Sequence, residues 1–387
     1  MDLFEKCYDF TLVQEAKSQG IYPYFPKVTS CQGPIVEMEG RPTIMLGSSN
    51  YLGLAGDPRI LAAAKDALDK YGSGCTGTRL FNGNTSLHTA LEERLAAFAG
   101  KEAAMVFSTG FQTNLGIISA LVSGQDIVFS DADNHASLWD AIRLSQAASE
   151  TFAHNDMTAL EDLLRTADSD KGRLIVVDGV FSDDGTLADL PALVRLKNQY
   201  GARLLVDDSH GVGVMGPTGR GVGEHFDLMA EIDLYVGTFS KAFASLGGFV
   251  AGPAQVIEYA AHTAHPYISS AAPPPANVAV VLAALDILDA EPELVAKVYE
   301  NATYMRKNMQ VAGLPLVKGE APILSLRTGD FERTHMIACQ LIDQGVYANP
   351  VESRNLLRTC YSALHTHEQL DHALEKVNLV FSTCGLA

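Results

Sequence analysis

Residues 46–275 alternate short apolar runs with longer segments of helical character. Ala103–Phe107, Ile127–Ser130, Arg173–Asp178 and Arg203–Asp207 are β-like runs, short and dominated by apolar residues. Between them, Asp57-Pro58 opens an Ala- and Leu-rich helix, with proline at the first helical position, where its missing N–H is harmless. Leu87 to Ala99 repeats apolar residues at helical spacing. The succession predicts an α/β fold, a large doubly wound domain around a mostly parallel sheet. Ahead of it, residues 1–45 read as a helix from Phe4 to Ser18, then a hairpin across Gly33–Leu46 turning at Glu39-Gly40-Arg41. Behind it, Ala272-Pro-Pro-Pro275 marks a boundary, followed by a helix to about Ala290. Residues 276–387 are expected to form a smaller α+β domain.

Charge and cysteine usage narrow the function. The 46 acidic against 28 basic residues give a net charge of −18, which argues against nonspecific nucleic-acid binding and against a polybasic contact with anionic lipid. A polyanionic substrate would need a local Arg and Lys cluster. The six cysteines are scattered with no C-x-x-C, as for thiols in a reducing cytosol. The first residues carry acids and lack the apolar core of a signal peptide, and 242–252 is too short and too rich in Gly to span a membrane. A soluble cytoplasmic protein is expected.

The strongest chemical signal is Gly237-Thr-Phe-Ser-Lys241, 34 positions after Val206-Asp-Asp-Ser-His210. Lys241 is followed by the nearly uncharged run 242–252, a poor place for a solvated ammonium and a good one for a Schiff-base lysine. The strand before Asp207 delivers a carboxylate at its C-terminal end, where open α/β sheets place ligands. Ser108-Thr-Gly-Phe-Gln-Thr-Asn114 follows a strand and opens a helix, so free N–H groups and the helix dipole favour a phosphate. A lysine for an aldehyde, an acid for a ring nitrogen and donors for a phosphate are what pyridoxal phosphate (PLP) requires. His135 and Ser182 follow strand ends and are candidates to reach its ring. Asp207, Asp208 and His210 are of metal-ligating types, but no further ligand motif accompanies them, and no metal is expected. No G-x-G-x-x-G follows an early strand, which disfavours a nicotinamide site.

A wider set of motifs resembles the α-oxoamine synthases, PLP enzymes of fold type I. It comprises Ser49-Asn-Tyr-Leu-Gly-Leu54, Gly72–Gly83, Leu91-Glu-Glu-Arg-Leu95, Asn134-His-Ala-Ser137, Val206–His210, Gly216-Pro-Thr-Gly-Arg-Gly221 and Thr238-Phe-Ser-Lys241. The resemblance implies that Lys241 carries the cofactor, Asp207 pairs with the pyridinium nitrogen, and His135 stacks on the ring. It places His210 and Ser182 near the ring hydroxyl, and Gly110, Phe111, Thr238 and Ser240 at the phosphate. Ser270 would reach that phosphate from the neighbouring subunit of a homodimer, and Asn50 and Arg358 would meet the amino-acid carboxylate. The implied reaction joins an amino acid to an acyl thioester with loss of carbon dioxide. Within the family, Gly72–Gly83, Val236–Lys241, His265–Ser270 and Leu356-Leu-Arg358 most resemble the members that use L-serine and a long-chain acyl-CoA. Glycine, alanine or another amino acid, or a carrier-protein thioester, are alternatives, as is a noncatalytic regulatory subunit. Three features depart from the pattern: Asp178 stands where Glu is usual, Asn349–Asn355 is shorter than the expected loop, and Pro26 stands where relatives often show the Arg expected near acyl-CoA.

Overall fold

Continuous apolar runs become the interior of a seven-stranded sheet in this computed structural model, which describes residues 2–386. The N-terminal hairpin comes first, with β1 (Ile35–Met38) antiparallel to β2 (Arg41–Met45). Its two-residue turn holds Glu39 and Gly40 at φ 48° and 76°, the left-handed geometry that matches strand twist. The large sheet consists of β3 (Ala103–Phe107), β4 (Asp126–Asp131), β5 (Ala148–Phe152), β6 (Gly172–Asp178), β7 (Arg203–Asp207), β8 (Leu234–Thr238) and β9 (Gly248–Gly252). Their spatial order is β3-β9-β8-β7-β6-β4-β5, and only β9 runs against the others. Leu204, Leu205 and Val206 of the central β7 are wholly buried, which is why its sequence is apolar on both faces.

The Phe4–Ser18 helix is corrected: it is two short helices, α1 (Glu5–Tyr8) and α2 (Leu12–Ser18), interrupted at Asp9–Thr11. Neither buries a residue and neither has a side-chain cap, so no tertiary packing extends them into one. The helix at Asp57-Pro58 forms as α3 (Pro58–Tyr71), with Asp57 accepting the Arg59 N–H. The next helix is α4 (Ser86–Phe98). The C-terminal part builds β10 (Ile323–Arg327), β11 (Val346–Tyr347), β12 (Asn349–Val351) and β13 (Leu356–Cys360), in two three-stranded sheets. One contains the hairpin, because β2 pairs in parallel with β11. Ile44 and Leu46 therefore share a core with Leu324, Leu341, Val346 and Leu370.

Candidate active site

Because β3, β4, β6, β7 and β8 point the same way, their C-terminal ends meet along one edge of the sheet. β7 ends at Asp207, β6 at Asp178 and β8 at Thr238. The loop after β3 leads into α5 (Gly110–Leu121), and the loop after β4 into α6 (Ala136–Ser145). Thr109 caps α5 by accepting the Gln112 N–H at 3.0 Å. Gly110 starts the helix hard against β8, since a Cβ there would lie 2.8 Å from Thr238 Oγ1. Gly248 of β9 makes the same approach from the other side, its Cβ falling 2.7 Å from Gly110 Cα.

These ends enclose a cavity of about 410 Å³ lined by Gly110, Phe111, His135, Ser182, Asp207, His210, Thr238, Ser240, Lys241 and Arg358. Of the residues expected to hold cofactor or substrate, Asn50 and Ser270 are missing from its wall. Asn50 turns its amide to the Gln32 carbonyl and the Ala55 N–H, and its neighbour Ser49 lines the cavity instead. Ser270 Oγ accepts from Gln112 Nε2 at 3.1 Å, beside the first turn of α5 in its own chain.

Asp207 is held by Asn114 Nδ2 at 2.6 Å, Ser209 Oγ at 2.5 Å and the Ser209 N–H at 3.1 Å. Burial lowers Lys241 from the usual lysine range to about 8, against the opposing pull of Asp207 and Asp178. At that value about a tenth of its amine is neutral at pH 7, far more than for a solvated lysine. Burial drives His210 far below the imidazole range, reinforced by Lys241 and Arg358, and its Nδ1 sits 2.9 Å from the Tyr51 hydroxyl. Burial also raises Asp178 well above the carboxylate range, as does the nearby Asp207, while its Oδ2 accepts the His135 N–H at 2.9 Å.

Asn114, Ser137 and Ser209 also line the cavity, and their roles there are not marked by any of the sequence motifs. Asn114 was detectable as an isolated amide on the apolar face of α5, where Ile117 and Ile118 are fully buried. The short loop before Arg358 is tied down: Arg354 pairs with Asp133 at 3.0 Å and with Asp184 at 3.2 Å. Glu352 of that loop accepts from the Tyr24 hydroxyl.

Asp208, next to the cavity, is a neutral acid in the fold. Burial raises it to about 7, although its Oδ2 accepts from Tyr235 Oη at 2.8 Å and the Val222 N–H at 2.7 Å. A carboxyl whose folded pKa exceeds its unfolded value contributes stability that is present at low pH and lost as pH rises toward 7. We expect the stability gap between wild type and Asp208→Asn to move in the variant's favour from about pH 4, the unfolded carboxyl's range, to about 7. The slope should be at most about 1.4 kcal/mol per pH unit and flat above that window. Paired denaturant titrations read it, and a gap independent of pH would refute the neutral acid.

The residues suit PLP on grounds internal to the fold. The cavity has the volume of a small-molecule site, the start of α5 offers its N–H groups beside Thr238 and Ser240, and a carboxylate and a lysine converge opposite. Arg358 donates through Nη1 to the Ser182 carbonyl at 3.2 Å, yet its buried Nε has no partner in the protein, as suits a residue awaiting an anion.

Comparison with known proteins agrees with this geometry. The family model for aminotransferase class I and II matches residues 41–377. A serine palmitoyltransferase of Bacteroides ovatus is 44% identical over 99% of both chains. 8-amino-7-oxononanoate synthase 1 of Bacillus subtilis is 41% identical over 91% of each. The structure of S. paucimobilis serine palmitoyltransferase with a bound PLP–myriocin aldimine superposes with a TM-score of 0.96 at 33% identity, covering both chains fully. The chain belongs to the aminotransferase class I and II family and, within it, to the α-oxoamine synthases, PLP-dependent acyltransferases of fold type I. Among its described residues, no helix is long and apolar enough to cross a membrane.

Proposed function

We propose that this chain condenses L-serine with a long-chain acyl-CoA, releasing carbon dioxide and CoA and giving 3-ketosphinganine for sphingolipid synthesis. The observation that carries the reading is identity of 44% along essentially the whole chain with proteins named serine palmitoyltransferase. Lys241, Asp207, His135, His210 and Arg358 around one cavity support it. In this reading the enzyme is a cytoplasmic homodimer, and Ser270 serves the neighbouring subunit's phosphate site.

When bound, PLP supplies an electron sink for the bond that breaks at the amino acid's α-carbon. Lys241 would anchor it and, as a neutral amine, would be the base for the α-proton. Asp207, fixed by Asn114 and Ser209, would keep a proton on the ring nitrogen, and His135 would support the ring. The α5 N–H groups at Gly110 and Phe111, with Thr238 and Ser240, hold the phosphate. His210 and Ser182 would lie at the ring hydroxyl, and Arg358 would grip the substrate carboxylate, joined by Asn50 once its amide leaves the Gln32 carbonyl and the Ala55 N–H.

A scan of the proteinogenic amino acids for shifts in cofactor absorbance, followed by assay of the responders with acyl-CoAs of graded length, tests this. Serine should shift the spectrum, and long chains should be preferred, since each enclosed methylene contributes about 0.8 kcal/mol. A shift with glycine or alanine and none with serine would overturn the serine reading. Relatives named 8-amino-7-oxononanoate synthase at about the same identity favour that second reading, in which another amino acid or a carrier-protein thioester is used. The noncatalytic alternative has no support, because the lysine is present and the relatives are enzymes.

Arg358→Lys should raise the KM for serine by roughly 10- to 100-fold, the effect of losing a charge-assisted bond that a lysine cannot make in bidentate form. The resting cofactor spectrum should stay unchanged. Steady-state kinetics checks this, and an unaltered KM would remove Arg358 from carboxylate recognition.

A further inference from the structure

Asn114 and Ser137 are 1% and 0% exposed, and between them they connect Asp207 to His135. The Asp207 carboxylate accepts from Asn114 Nδ2 at 2.6 Å, which fixes the orientation of the amide. The same Nδ2 donates to Ser137 Oγ at 2.9 Å, so the Ser137 oxygen is already an acceptor and its hydroxyl proton is free to point onward. His135 Nδ1 lies 2.7 Å away in that direction. The Ser137 backbone N–H, which can only donate, meets the same Nδ1 at 3.3 Å. Two donors converge on one ring nitrogen, and that nitrogen must hold a lone pair.

We propose that Asn114 and Ser137 are positioning residues that lock His135 in its neutral Nε2–H tautomer and tie that tautomer to the Asp207 carboxylate. The significance rests on the reading in which His135 covers the cofactor ring: an imidazolium there would repel the pyridinium charge that Asp207 sustains. Burial, with Lys241, lowers His135 below the imidazole range against the pull of Asp207 and Asp183, which favours a neutral ring but does not choose which nitrogen carries its proton. Asp178 meets the residue only through its backbone N–H. The hydrogen-bond chain supplies the direction that these opposed charges do not.

Nitrogen NMR of cofactor-free protein carrying isotope-labelled histidine tests this, with His135 assigned by its absence in His135→Asn. In wild type, Nδ1 should show the unprotonated shift and Nε2 the protonated one near neutral pH. Ser137→Ala and Asn114→Ala should each move His135 toward a tautomer mixture, and Ser137→Thr, which keeps the hydroxyl, should restore it. A protonated Nδ1 in wild type overturns the proposal even if no variant folds. So does a tautomer left unchanged in both alanine variants. The imidazole is read directly, so failure of the serine reading would leave this result standing, and the reverse holds too.

Discussion

Lys241→Ala is expected to lower turnover by at least about 10²- to 10⁴-fold, the range for loss of a positioned general base, and the loss of the cofactor's anchor adds to it. The purified wild-type protein should be yellow, and borohydride should fix the cofactor to one lysine. Peptide mapping should find the pyridoxyl group on Lys241, the lysine of the cavity wall. The physical basis is the lowering of its amine to about 8 by burial, which yields a usable neutral base without a neighbouring catalyst. An adduct on a different lysine would refute the assignment. The variant's fold should survive, because the side chain faces a cavity rather than a packed core.

Asp207→Asn should slow α-proton exchange by about 10²- to 10³-fold, the scale of a lost electrostatic contact in a buried site. The substitution keeps the shape and removes the charge. It also places an amide opposite Asn114 Nδ2, so part of the three-bond support around the carboxylate is lost. Exchange of serine's α-hydrogen with deuterated solvent, followed without acyl-CoA, isolates this step. Near-normal exchange would remove the role from Asp207. Asp208 is a poor substitute, because burial keeps it protonated up to about pH 7.

The sequence disclosed those parts of the molecule whose determinants are local. β3, β6 and β7 were readable because a strand buried on both faces must be apolar throughout. β5 was not, since Ala148–Glu150 is exposed at the sheet edge and carries no apolar pattern. β9 was seen only as a low-charge stretch around the lysine. Its glycines are poor strand formers: Gly248 is kept where the backbone of α5 passes too close for a Cβ, and Gly252 where the Asp233 carbonyl does. Lys241, Asp207 and His135 stood out because strand ends and short motifs mark them. Asn114 lies 93 positions from Asp207, and their hydrogen bond exists only after the sheet has brought α5 over β7. Asn50 shows the converse, a motif residue whose amide is taken up by the Gln32 carbonyl and the Ala55 N–H while the residue before it faces the cavity.

The most direct test is to mix PLP-loaded protein with L-serine and palmitoyl-CoA and to quantify free CoA thiol, carbon dioxide and lipid product together. The account predicts thiol and carbon dioxide in equal amounts, with a product of the mass of 3-ketosphinganine, and none of these in Lys241→Ala. Thiol released without carbon dioxide, or condensation with alanine or glycine but none with serine, would contradict it.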